Sequence, residues 1–253
     1  MHSNRFALFI TARLGSKRLP NKHIIDMGGV RPIELLIRRL KILGLPIVVT
    51  TGDEPINYGF KEICKNEEVQ LFFGEAENIP LRHLQAAKEL NYDFIFAIDG
   101  DDLLTAPEGV MAIVKKIQNE DFSKSFYNTS GFPFGMNSSG YSKTFLETAI
   151  NNFKGENLET GWGRIFSKES VVVIPCESKN ADNWRLSLDY DEDFAVFKNI
   201  WMHFKSDLIT ASSKEVLEYF DKNEVYKLNQ TVIEKYWENF QSERSKEIQK
   251  ELK

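Results

Sequence analysis

Over residues 6–98 the chain alternates short, largely apolar runs with segments of helical spacing, and this rhythm constrains the fold more than any other feature. FALFIT (Phe6–Thr11), Ile47–Thr51, Val69–Phe73 and DFIFAI (93–98) are short runs of apolar and β-branched residues with no consistent polar face. Strands of that kind lie inside a sheet that is covered on both sides, the parallel arrangement of α/β folds. Between them, Ile33–Leu43 places apolar residues at 33, 36, 37, 40 and 43, with Pro32 suited to a first helical turn. Residues 55–66 and Ile79–Leu90 read as two further helices. The fold expected is a doubly wound, mostly parallel α/β sheet.

Beyond residue 119 the rhythm loosens. Short strand-like runs surround the loop SGFPFGMNSSG; a helix is expected at 142–153, strands at 169–175 and 184–189, and helices at 191–204 and 213–220. Residues 223–253 are highly charged, with apolar Val232, Ile233, Tyr236, Trp237 and Phe240, and read as one or two helices that fray beyond about 244. With no repeat and no linker, a single domain over 1–253 is expected, with a small antiparallel excursion within 122–185.

The net charge of −5 argues against a general nucleic-acid binder. No apolar run approaches the roughly 18 residues of a membrane span, and the short N-terminal run leads straight into charges, unlike a signal peptide. The expectation is a cytoplasmic protein in which Cys64 and Cys176 stay reduced.

The first strand ends in ITARLGSKRLPNK, which concentrates Arg13, Lys17, Arg18 and Lys22 beside a buried strand end. Ligands of doubly wound sheets bind beyond the carboxyl ends of the strands. Backbone N–H groups, Ser16 and the arginine forks have the chemistry of a phosphate cradle; a solvated basic turn is the alternative. The loop is neither a Walker P-loop nor a G-x-G-x-x-G turn. At the same sheet edge, AIDGDDLL crowds Asp99, Asp101 and Asp102 around the end of the fourth strand. A divalent cation such as Mg²⁺, which takes one or two carboxylates plus phosphate oxygens, would offset their repulsion. Helix capping before Pro107 is the competing use, and D-G-D also matches the D-x-D of metal-dependent glycosyltransferases.

ARLGSKRLPNK followed by MGGVRPIELLIRRL resembles the cytidylyltransferases that activate sugars as CMP derivatives, those for acylneuraminate and 3-deoxy-manno-octulosonate among them, and most closely the spore-coat polysaccharide branch. Arg13, Ser16, Arg18, Leu19, Pro20 and Lys22 match the family pattern A-R-x-x-S-x-R-L-P-x-K. The resemblance implies a nucleotide-diphospho-sugar transferase-like, Rossmann-like fold that binds CTP through Ala12, Arg13, Ser16, Arg18, Lys22 and Asp99. Arg13, Arg18, Lys22 and Asp101 would carry catalysis. FFGEAENIPLRHLQAAKEL resembles the segment near base and ribose, which makes Arg82 a candidate nucleotide contact. WRLSLDYDEDF resembles R-L-T-L/V-D-x-P-E-D-F, so Asp189 would join Asp101 in holding Mg²⁺, while Asp191 and Asp193 cap the next helix. Leu103 and Asp191 stand where the family has proline.

The middle departs from the family. Around the acceptor site its acidic residues are replaced by Asn137, Ser138 and Ser139, and Glu159, Thr160, Trp162 and Arg164 stand where acceptor contacts are made. Loss of acidic residues beside Arg164 suits a sugar acid or another anionic acceptor, such as a phosphorylated alcohol. The expected reaction is transfer of CMP from CTP to that acceptor with release of pyrophosphate, for cell-surface glycan biosynthesis. The resemblance also implies a homodimer contacted through 122–185. A glycosyltransferase using D-G-D and a non-catalytic nucleotide-binding protein are the rivals.

Overall fold

The computed structural model describes residues 5–118, 120–153, 155, 158–176 and 183–251. Seven strands form one sheet: β1 (Phe6–Thr11), β2 (Ile47–Gly52), β3 (Gln70–Gly74), β4 (Phe94–Asp99), β5 (Phe126–Ser130), β6 (Ser139–Ser142) and β7 (Val171–Pro175), in the order β3-β2-β1-β4-β6-β5-β7. β1 to β4 are mutually parallel and β5 runs parallel to β7; only β6, between β4 and β5, is antiparallel. The antiparallel excursion is thus one strand, built into the same sheet. Thr11 at the end of β1 is level with Thr50 on β2 and Asp99 on β4, so the basic loop and the aspartates leave the sheet side by side.

The helices are α1 (Pro32–Lys41), α2 (Phe60–Asn66), α3 (Ile79–Glu89), α4 (Pro107–Ile117), α5 (Lys143–Asn152), α6 (Asp191–Phe204), α7 (Ser213–Lys222) and α8 (Ile233–Glu251). They cover both faces, as apolar strands require. α1, α2, α4, α6 and α7 enclose the larger core, which includes Leu8, Ile10, Phe94 and Phe96, and α3 and α5 enclose the smaller one around Phe9, Ile95 and Tyr141. Both cysteines are free thiols. No helix among the described residues is long and apolar enough to cross a membrane.

Three elements differ from expectation. α4 was not assigned from the sequence; Pro107 opens it, and Val110, Ile113 and Ile117 are buried along one side. The expected strand at 184–189 is an extended, buried segment without a ladder. It passes between two loops, where Leu186 N donates to Phe134 O at 2.7 Å and Leu188 N to Asp101 O at 2.9 Å. α8 continues through Glu251 instead of fraying at 244, because Glu247 in its last turns accepts from Thr160 N at 3.0 Å and pairs with Arg164 at 3.2 Å.

Candidate active site

The loop 12–22 is pinned at both ends. Ala12 N donates to Thr50 O and Leu14 N to Asn57 Oδ1, while Leu14 and Leu19 are buried. Between these anchors Arg13, Ser16, Lys17 and Arg18 line a cleft of about 630 Å³. The left-handed turn at Asn21 (φ 57°) then returns the buried Lys22 to the strand ends. Across the cleft, Gly100 lets the end of β4 close on β1: a Cβ there would lie 2.7 Å from Thr11 O.

The Lys22 ammonium sits between two carboxylates, 2.7 Å from Asp101 Oδ2 and 2.9 Å from Asp189 Oδ1. Asp189 Oδ1 also accepts from Arg18 Nη2 at 2.8 Å, and its Oδ2 from Arg185 Nη2 at 2.6 Å. Burial alone would raise the Asp189 carboxyl, but Lys22, Arg18 and Arg185 outweigh it and hold the group well below the usual carboxylate range. Burial would likewise depress Lys22, and its two carboxylates hold it above its ordinary value. Asp193 caps α6 as expected, accepting from Asp189 N and Tyr190 N. Burial, then the charges of Asp101 and Asp99, raise Asp102. Asp99 is open to the cleft, so solvent offsets part of the upward push from its protein surroundings and from Asp101.

Arg82 lines the cleft with two of its three guanidinium nitrogens already engaged. Its Nε donates to Glu75 O at 2.6 Å, and its Nη2 reaches Ala76 O at 2.7 Å and Glu159 Oε1 at 2.6 Å. The arginine is fully buried, and buried guanidinium donors take internal partners. Glu159 also binds Arg13 at 2.9 Å, so it joins the basic loop to α3. Ser16 Oγ faces Leu19 N at 3.5 Å, turning the loop tip. Trp162 packs edge-on against His83, Phe126 and Tyr141.

Sequence reasoning missed two contributors. His23, next to Lys22, lines the cleft floor, and burial, with Lys22, lowers it to about 3, so it is neutral at pH 7. The second is α8, which forms one wall: Tyr236 lies 3.8 Å from the Arg185 guanidinium, and Glu243 is 3.6 Å from Arg18. The aromatic spacing Tyr236–Phe240 was the available signal, but nothing in it says which face it covers.

Among the described residues no group of three or more His, Cys, Asp or Glu is placed to hold a metal ion. Asp101 and Asp189 nevertheless converge on one point, the position of the Lys22 ammonium. A two-carboxylate site completed by phosphate oxygens fits that geometry and the preference of Mg²⁺.

The family model described as cytidylyltransferase matches residues 7–160, which contain the loop, β4 and the aspartates beyond it. The chain belongs to the cytidylyltransferase family. It is therefore a CTP-dependent nucleotidyltransferase, and the glycosyltransferase and non-catalytic readings fall away. This cytidylyltransferase is 28% identical over 234 residues to an uncharacterized protein of Methanocaldococcus jannaschii, covering 89% of this chain and 95% of the other. It is 24% identical over 111 residues to the spore coat polysaccharide biosynthesis protein SpsF of Bacillus subtilis, covering 42% of this chain and 46% of that one. Its fold is similar to that of a cytidylyltransferase from Leptospira borgpetersenii, with a TM-score of 0.79, 24% identity and coverage of 88% of this chain and 97% of that chain.

Proposed function

We propose that this cytidylyltransferase transfers CMP from CTP to a hydroxyl of a sugar-type acceptor, releasing pyrophosphate, in the synthesis of a cell-surface glycan. The observation that carries the reading is the convergence of the basic loop with Asp101 and Asp189 at the aligned ends of β1 and β4. The likeness to a spore-coat polysaccharide protein supports the glycan role.

In this reading the acceptor oxygen attacks the α-phosphorus in line, the bond to the β-phosphate oxygen breaks, and pyrophosphate leaves. The protein supplies position and charge. Arg13, Ser16, Arg18 and Lys22 hold the triphosphate and receive the charge that builds on the leaving pyrophosphate. Asp101 and Asp189 would hold Mg²⁺, which would supply positive charge against the phosphates when bound. Lys22 neutralises those two carboxylates in the nucleotide-free protein, and its ammonium turns to the phosphates when they arrive. His23, kept neutral, adds no charge to the cleft floor.

The anionic acceptor expected from the sequence rests on Arg164. In the fold that guanidinium pairs with Glu247 and donates to Thr160 O, so it serves the α8 wall. A homodimer in the cytoplasm remains part of the reading, and light scattering of the purified chain tests the dimer. The reaction is tested by pyrophosphate release from each of the four nucleoside triphosphates with Mg²⁺ and an acceptor panel, using wild type beside Asp101→Ala. Release with CTP alone that the substitution abolishes supports the reading, and equal release by the variant overturns it.

A further inference from the structure

Behind the root of the basic loop runs a buried chain of three polar side chains that the proposed reaction does not use. Thr11, the last residue of β1, lines the cleft, and its Oγ1 lies 2.7 Å from His83 Nε2 on α3. His83 Nδ1 lies 2.6 Å from the Tyr141 hydroxyl on β6. His83 and Tyr141 are fully buried, and Phe9 and Trp162 pack edge-on against the imidazole at 5.6 and 6.3 Å. The ring is neutral at pH 7 in these surroundings, because burial, then Arg82, lowers it to about 3. Burial, then the Asp99 charge, raises Tyr141 well above its ordinary value, so its hydroxyl keeps its proton.

A neutral imidazole has one donor and one acceptor, which gives the chain a direction. Among the described residues the Tyr141 hydroxyl has His83 Nδ1 as its only hydrogen-bond partner. If Nδ1 carried the ring proton, the phenolic O–H would be a fully buried donor without an acceptor, and such groups are costly. Tyr141 therefore donates to Nδ1, Nε2 carries the proton, and Nε2–H donates to Thr11 Oγ1. The threonine hydroxyl accepts from His83 and keeps its own proton to donate, and no acceptor for it lies among the described residues.

The donor is held in place. Thr11 is level with Thr50 and Asp99 in the parallel ladder, and its carbonyl accepts from Gly100 N at 2.8 Å. Its β-branched side chain has few rotamers to choose from. Thr11 and Trp162 flank His83 and both line the cleft. The stretch they bound presents a hydroxyl and an indole, and the neighbouring charges, Arg82 and Glu159, pair with each other at 2.6 Å. Lys17, Arg18 and Lys22 line the cleft further along the loop.

We infer that Thr11, held as a donor by His83 and Tyr141, hydrogen-bonds an acceptor atom of the nucleoside part of CTP. The inference rests on CTP lying in this cleft with its phosphates on the basic loop, and it deepens that reading. It makes Thr11 a nucleotide-binding residue, with His83 and Tyr141 as positioning residues that act through it. A nucleoside is uncharged and offers acceptors on both parts, the carbonyl and ring nitrogen of the base and the oxygens of the ribose. Either part can take the proton that the buried chain directs outwards.

The test measures Kd by calorimetry on the full chain for CTP with Mg²⁺ and for inorganic tripolyphosphate, which has no nucleoside. Thr11→Val keeps the shape and removes the donor. It is expected to raise the Kd for CTP about three- to tenfold and to leave that for tripolyphosphate unchanged. Thr11→Ser keeps the hydroxyl and is expected to stay within about twofold of wild type. An unchanged CTP Kd in folded Thr11→Val overturns the inference, and so does an equal rise for both ligands. Wild type that fails to bind CTP sinks the nucleotide site itself. With 2′-deoxy-CTP the Thr11→Val penalty persists if the contact is to the base and vanishes if it is to the ribose 2′-oxygen. Nitrogen NMR of the unaltered chain tests the direction separately. The His83 signals, identified among the four histidines by their loss in His83→Gln, should show a protonated Nε2 and a bare Nδ1. The opposite tautomer overturns the inference.

Discussion

The basic loop and the facing walls of the cleft are built in opposite ways. On the loop side, eleven consecutive residues, 12–22, supply Arg13, Ser16, Lys17, Arg18 and Lys22 to the cleft, and parallel register sets them beside Asp99 and Asp101. The facing walls come from four separate stretches around Ala97–Asp102, Asn128–Ser139, Glu159–Gly163 and Tyr236–Glu247. A triphosphate demands a fixed array of donors, which one loop can present. A small acceptor needs a shape, and shape arises where distant segments pack. Asp189 joins the halves: it holds Arg18 and Lys22 on one side and Arg185, which supports Phe134 and Tyr236, on the other.

Removing that joint is the strongest way to break the division. Asp189→Ala leaves three guanidinium and ammonium groups without their shared carboxylate, and breaking a buried pair costs about 3–5 kcal/mol. Denaturant unfolding should show that loss, and a loss under about 1 kcal/mol would mean the halves hold together without it. Asp101→Ala removes a partner of Lys22 alone. Turnover should fall roughly 10²–10³-fold, the scale of other charge-stabilising groups, with a small change in melting temperature because Asp101 is partly solvated. A large melting shift would make Asp101 structural instead.

His83 sharpens the comparison through pH. It is buried between Thr11 Oγ1 at 2.7 Å on the loop side and Tyr141 OH at 2.6 Å on the sheet. Burial, then Arg82, lowers it from 6.5 to about 3. Above pH 6.5 neither folded nor unfolded chain binds the proton. As pH falls below that value the unfolded chain takes it and the folded chain does not, so stability is lost down towards pH 3. The contribution is about 2 kcal/mol at pH 5, at roughly 1.4 kcal/mol per pH unit. Unfolding curves at pH 7 and 5 should show it, and His83→Gln should shrink the difference by about 2 kcal/mol while leaving the like share of buried His23. An unchanged slope would place the acid sensitivity elsewhere.

The smallest effect concerns the α8 wall. Glu243 is half exposed and 3.6 Å from Arg18, so Glu243→Gln should change stability by less than about 1 kcal/mol. Freed from that partner, Arg18 should bind CTP about two- to threefold more tightly by calorimetry. Weaker binding would show that Glu243 orients Arg18 rather than competing for it.

The seven strands and eight helices of the described residues were not equally legible. β1 to β4 and their helices followed from period and apolar runs, because a strand buried on both faces leaves the same mark wherever it packs. The stretch at 184–189 has the same composition as a strand, yet its N–H groups go to the carbonyls of two loops, a choice that no local pattern records. Arg82 illustrates the same limit for function. Its place in a family-like segment suggested a nucleotide contact, and the fold commits its Nε and Nη2 to Glu75, Ala76 and Glu159.

By itself, the sequence determined the parallel half of the sheet, the basic loop and the family, since these depend on residues that are neighbours in the chain or repeat with the period of their element. Tertiary structure alone decided that Lys22 lies between Asp101 and Asp189, that α8 walls the cleft, and that His83 and Tyr141 line up behind Thr11. Those arrangements depend on which distant segments meet, and the energy that brings them together is summed over the whole core rather than written at any one position.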